Sequence, residues 1–113
     1  MAGITSALCT SFKVELLEGD HDFNNGADAF KVALFKANAS ITGTYSAATT
    51  NYSDMTGNSD ELPATGGYTT TGFALTNVNP TSTSTTAFTS FSANASWTSA
   101  TFTTRGCMIY NTS

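Results

Sequence analysis

From Leu62 to Thr104 the chain carries no Asp, Glu, His, Lys or Arg, a 43-residue stretch of Thr, Ser, Gly, Ala and Asn punctuated by single aromatics. Such a stretch has almost no means of acid–base chemistry. It also lacks the charge that keeps most globular surfaces soluble and apart, which points to β-structure with a Thr/Ser outer face packed against neighbours. Threonine (22) and serine (13) fill almost a third of the 113 positions and Leu is scarce, so composition favours strands over helices.

A chain of this length reads as one domain, 1–113, with a modest core. The net charge is −4, and Lys13, Lys31, Lys36 and Arg105 are the only Lys and Arg residues, too few for the basic footprint of direct nucleic-acid binding. No apolar run approaches a membrane span, and the segment from Met1 to Ser6 lacks the regions of a signal peptide, so a cytosolic place of synthesis is expected. In that reducing setting Cys9 and Cys107 are read as two buried thiols rather than a disulfide. No CxxC or Cys/His cluster suggests zinc, and the sequons at Asn38, Asn51, Asn94 and Asn111 are what a Thr/Ser-rich chain produces by chance.

Along the chain, Leu8, Phe12 and Leu16 fall at helical spacing, with Gly19 as a stop, and predict one N-terminal helix over about 10–19 with Glu15 in its first turn. Gly19 to Asp28 is a dense turn signal. Phe30 to Ala37 is apolar on both faces and predicts a central strand. The pattern is lost between Asn38 and Gly67, a loop-rich excursion holding Tyr45, Tyr52 and Met55; connections of that length are uncommon unless functional, so contacts with other subunits are expected there. The span 68–111 reads as strands: Tyr68 to Val78, ended by Asn79-Pro80; a segment containing Phe88 and Phe91, which share a face only through a bulge; Ala93, Ala95 and Trp97 on one side; Ala100 to Thr104; and a buried strand at Cys107 to Tyr110. The expected fold is mainly β, a compact antiparallel sandwich or jelly-roll-like domain with the single helix.

Sites for chemistry are few. Asp20, Asp22, Asn24 and Gly26 resemble a calcium loop, but the sixth and twelfth positions hold Asn25 and Lys31, so a turn capped by its own side chains is preferred. His21, the single histidine, reads as a hydrogen-bonded turn residue. Asp54, Asp60 and Glu61 are the acids a glycosidase would need, yet acidic loop residues usually serve as solvated surface. Trp97 is expected in the core under the helix, with a sugar platform of Trp97 and Tyr110 as the alternative. Arg105 is expected to pair with Glu15 or Glu18, or to reach a carboxylate on a neighbouring subunit.

Three stretches together carry a resemblance: Ser11 to Phe23 (SFKVELLEGDHDF), the strand Phe30 to Phe35 with the Gly66-Gly67-Tyr68 turn, and the ending Trp97 to Asn111 (WTSATFTTRGCMIYN). Over nearly its whole length the chain resembles small virion structural proteins of tailed bacteriophages. That resemblance implies a β-sandwich serving as a capsid decoration or cement protein, with no catalytic residue, metal or cofactor. It implies a homo-oligomer, dimer or trimer, bound to the major capsid protein or other virion proteins, located on the capsid surface and in the host cytoplasm during assembly. The expected assembly contacts are Tyr45, Tyr52, Met55, Tyr68 and Arg105. A receptor- or glycan-binding module, or another neck, tail or fibre component, is the alternative.

Overall fold

A strand that is apolar on both faces must be paired on both edges and covered on both sides, and Phe30–Leu34 (β2) meets that demand at the centre of the fold. The structure is a computed structural model describing residues 3–113. Strand β2 pairs antiparallel with Phe73–Leu75 (β4) on one edge and with Cys107–Asn111 (β7) on the other, giving the order β4-β2-β7. The registers run Val32↔Phe73 and Phe30↔Leu75 on one side, Ala33↔Met108 and Lys31↔Tyr110 on the other.

One face of this sheet presents Ala33, Phe35, Met108 and Tyr110. Ile41, Tyr45, Met55, Ile4 and Tyr52 cover it, and Phe35 and Met55 are among the most deeply buried side chains. Ile4 and Tyr45 come from a short parallel pair, Gly3–Ile4 (β1) with Thr44–Tyr45 (β3), and both side chains join this core cluster. The opposite face closes at one end through Leu34, Leu62 and Tyr68 with Trp97 and Phe102, and at the other through Phe30, stacked on Phe23 and tilted against Phe91. Burying Phe35 alone is worth roughly 2–3 kcal/mol of transfer free energy.

The N-terminal helix α1 spans Thr10–Glu18. Gly19 stops it at φ +85, where a residue without Cβ costs nothing, and the amides of Gly19 and Asp20 close on the carbonyls of Leu16 and Glu15. Glu15 lies beyond the first turn, and its stabilising partner is His21 rather than the helix dipole. The helix buries no residue: Val14 and Leu16 are 49% and 40% exposed and Leu17 is 91% exposed, with Leu8 just before the helix 57% exposed, while Phe12 turns in against His21 and Phe23.

The fold is mainly β, with antiparallel sheets of three and two strands beside the parallel pair. The structure departs from the sequence expectations at several points, and of the strand expected over Tyr68 to Val78 only Phe73–Leu75 and the start of the next strand at Asn77 form. The excursion 38–67 is no loose loop, because it supplies Ile41, Tyr45, Met55 and Leu62 to the core and contains a second helix, Tyr52–Gly57 (α2), where one helix was expected. Pro80 does not end its strand. Asn77–Thr83 (β5) continues past it into a hairpin with Thr86–Phe91 (β6), and the bulge sits in β5, where Asn79 and Pro80 together oppose Thr89. The segments 93–97 and 100–104 form no strand. Strand β7 is half-exposed, not buried: Met108 and Tyr110 face inward while Ile109, 56% exposed, and Cys107 face out, as an edge strand allows.

Candidate functional site

Asp60 and Glu61 are consecutive, and between them they organise the interior. Asp60 is fully buried, and its carboxylate accepts hydrogen bonds from the Tyr45 hydroxyl (2.6 Å), the amides of Gly43 (2.7 Å) and Thr42 (2.8 Å), and the Thr42 hydroxyl (3.2 Å). Burial alone would raise its pKa, but these donors outweigh it and hold the carboxyl below the ordinary carboxylate value.

Glu61 faces the other way. Its carboxylate accepts from the hydroxyls of Tyr52 and Tyr68 (2.7 Å to Tyr68) and from the Thr71 amide (2.7 Å). Tyr110 stacks flat on Tyr52, with ring centroids 4.3 Å apart, and its hydroxyl donates to the Thr71 carbonyl at 2.7 Å. Lys31 completes the ring by donating to Thr71 Oγ1 at 2.8 Å. Thr71 has φ +79, costly for a β-branched residue, and it is held there by three tethers: its N–H to Glu61, its C=O to Tyr110 and its hydroxyl to Lys31. Burial pushes the Tyr45 hydroxyl up to about 12 and raises Tyr52, Tyr68 and Tyr110 above the ordinary phenol value, with the neighbouring carboxylates adding to the effect. These phenols stay protonated donors at neutral pH, so the cluster is a structural lock.

Asp54 is likewise committed. Its carboxylate accepts the amides of Thr50 (2.8 Å) and Asn51 (3.2 Å) at the start of α2, which holds its pKa below the usual value. The three acids a glycosidase would need therefore all act as acceptors for neighbouring backbone and side-chain donors.

The acidic turn after α1 is self-capped. Asp22 Oδ1 accepts the Asn24 amide at 2.9 Å, and Asp28 Oδ2 accepts the Asp22 amide at 3.0 Å and the Asn111 side-chain amide at 2.8 Å. Those bonds hold Asp28 below the usual carboxylate value. His21 bridges this turn to both ends of the chain through Glu15 (2.9 Å) and Asn111 (2.9 Å). Among the described residues no group of three or more His, Cys, Asp or Glu is arranged to hold a metal ion, and no helix is long and apolar enough to cross a membrane.

Of the residues expected to face a partner, Tyr45, Met55 and Tyr68 are buried, because the excursion folds onto the sheet, and Tyr52 is half-buried against Tyr110. Only Arg105 is exposed; its amide bonds the Lys36 carbonyl at 3.1 Å, and Glu15, one of its expected partners, pairs with His21. Trp97 lies not under the helix but against Tyr68, Phe73 and Phe102. Cys9 and Cys107 are free thiols, as expected, but half-buried and exposed respectively.

The broadest exposed surface lies elsewhere, within the uncharged Thr/Ser-rich stretch. Every residue from Val78 to Ser90 on the β5–β6 hairpin is exposed, on both faces and without a charge. Its base is pinned by Asn77, whose side chain donates to the carbonyls of Asn24 and Asp28, and by Asn79, which accepts the Asn25 amide. The signal was present in the uncharged Thr/Ser run from Thr81 to Thr86, which flanks the two-residue turn Ser84-Thr85. Total accessible surface is 6894 Å², against roughly 5,900 Å² for a monomer of this mass by area scaling; the arm and α1 contribute to that excess. No family model, curated protein or solved structure matches the chain.

Proposed function

We propose that this chain is a structural component of a tailed-phage particle, decorating the capsid and stabilising it by binding the major capsid protein lattice. The observation that carries the reading is a folded body with two uncovered surfaces of the kind that neighbours bury: the neutral arm from Val78 to Ser90, and the leucines and valine of α1. Hydroxyl-rich strands can hydrogen-bond across an interface without the desolvation cost of unpaired charges. Repetition on a symmetric lattice then turns a modest interface per copy into large collective resistance through avidity. Asp28, Asp54, Asp60, Glu61 and the four tyrosines support the same reading, since each makes internal bonds that stiffen the body.

The sandwich layout implied by the resemblance belongs to this proposal. Its support is the packing of Ile4 and Tyr45 of β1 and β3 across the Ala33, Phe35 and Met108 face of the three-stranded sheet. The glycan-binding alternative gains no support from the aromatics, because Trp97 and Tyr110 pack against other rings.

Quantitative mass spectrometry of purified particles of the phage that encodes the chain tests the assignment. A copy number on the scale of the major capsid protein, with density for the chain on the outer shell in an image reconstruction, is the expected result. A few copies per particle, or none, overturns it.

A further inference from the structure

The two long edges of the arm are not alike. Strand β5 carries Pro80, which has no N–H to donate, and a bulge where Asn79 and Pro80 oppose Thr89; both features blunt an edge against further pairing. Strand β6, Thr-Ala-Phe-Thr-Ser-Phe, has no proline, no bulge residue of its own and no charge, and the strand geometry turns alternate backbone N–H and C=O groups away from β5. Among the described residues the only backbone partners of Thr86 to Ser90 lie on β5. Phe88 is 46% exposed on this strand. A two-stranded ribbon with both faces in water is marginal alone, and a third strand or more is needed for independent stability.

Electrostatics narrows the choice of partner. All eight acids and all four Lys and Arg residues lie outside 62–104, so the net charge of −4 belongs to the body and none of it to the arm. Two copies that meet through the arm bring no like charges together at the contact.

We propose that the β6 edge is a self-association surface, on which β6 of a second copy pairs antiparallel to give a four-stranded sheet in the order β5-β6-β6-β5. The pairing is isologous, because an antiparallel strand meets its own copy about a two-fold axis, and it closes because the outer strands are the blunted β5 edges. The product is a finite dimer rather than a fibre. Phe88 of each copy then sits beside the new seam, where cross-strand aromatic contacts favour pairing. The inference specifies the surface for the homo-oligomer in the function proposed above, but it concerns the purified chain and stands or falls apart from capsid binding.

The test uses two double variants at exposed positions on one face of β6: Ala87→Lys with Thr89→Lys, and Ala87→Glu with Thr89→Glu. Sedimentation velocity on the full chain should give a concentration-dependent dimer for the wild type and monomers for each variant, with far-UV circular dichroism unchanged. Mixing the Lys and Glu variants should restore the dimer, since opposite charges then face each other across the seam. In the wild type, amide exchange at Ala87 and Thr89 should slow as concentration rises, a readout that needs no substitution. A wild type that stays monomeric at all concentrations, a trimer, variants that keep the dimer, a mixture that fails to re-form it, or exchange independent of concentration would each overturn the proposal.

Discussion

The Tyr45 hydroxyl donates to Asp60 Oδ2 at 2.6 Å inside a core where both residues are buried, and the same carboxylate gathers the amides of Thr42 and Gly43. One charged group therefore joins β3, the turn before it and the chain leaving α2. Replacing Asp60 with Asn leaves these donors facing a weaker, half-inverted acceptor, and the expected loss is about 2–3 kcal/mol. Urea denaturation of the wild type and the Asp60→Asn variant measures it.

The pH dependence of that bond has a definite sign. Asp60, Asp54 and Asp28 all titrate lower in the folded chain than in the unfolded one. Their contribution is fully present above the unfolded value of about 3.9 and is lost as pH falls through the folded values. Melting temperature should hold steady from neutrality to mildly acidic pH and then drop. In Asp60→Asn the drop should be shallower, because one of the three linked groups is gone.

At the alkaline end the sign reverses. Tyr45, pushed up to about 12, and Tyr52, Tyr68 and Tyr110, all raised, favour the neutral phenol in the fold. Their stabilisation is intact below the unfolded value of about 10 and disappears as pH climbs through the folded values. Tyrosinate absorbance should therefore rise together with loss of near-UV dichroism in one cooperative step. A separate, earlier ionisation of all four tyrosines with the fold intact would contradict the lock around Glu61 and Asp60.

Gly72 has φ +94, and a Cβ placed on it would sit 2.0 Å from the Val32 carbonyl oxygen, which is backbone and cannot move aside. Gly72→Ala should cost at least about 2 kcal/mol through strain and displacement of β2. Gly26→Ala, also at positive φ but in open space, should cost less. Thermal melts of the pair separate conformational strain from steric collision.

Leu17 is 91% exposed on α1. Leu17→Lys should change the stability of the isolated chain by no more than about 0.5 kcal/mol. If α1 meets the capsid, the same substitution should lower occupancy on particles in a binding assay with purified shells. Unchanged occupancy would remove the helix from the interface and leave the arm as the remaining candidate.

What could be read from the residues depended on whether the signal was local. The limits of α1 and the centrality of β2 follow from neighbours in the chain: Gly19 as a stop, and the unbroken apolar run from Phe30 to Phe35. Tyr45, Met55 and Tyr68 carry no local signal of burial, because each comes from a different short piece with no period of its own and only the sheet brings them inward. Asp60 and Glu61 looked like solvated loop acids since their donors, Tyr45, Tyr52, Tyr68 and Thr71, are supplied by tertiary contact. Pro80 misled through a rule that holds for regular strands but not for a bulge.

Strand β2 takes one of its two partners from the far end of the chain, with Phe30 opposite Asn111. Closing that pair requires a loop of most of the polypeptide, a topology that folds slowly. During synthesis the middle strand therefore waits, with Val32 and Ala33 lacking Ile109 and Met108 until that distant strand has been made, and the interval before the two pair is when a chaperone has most to shield.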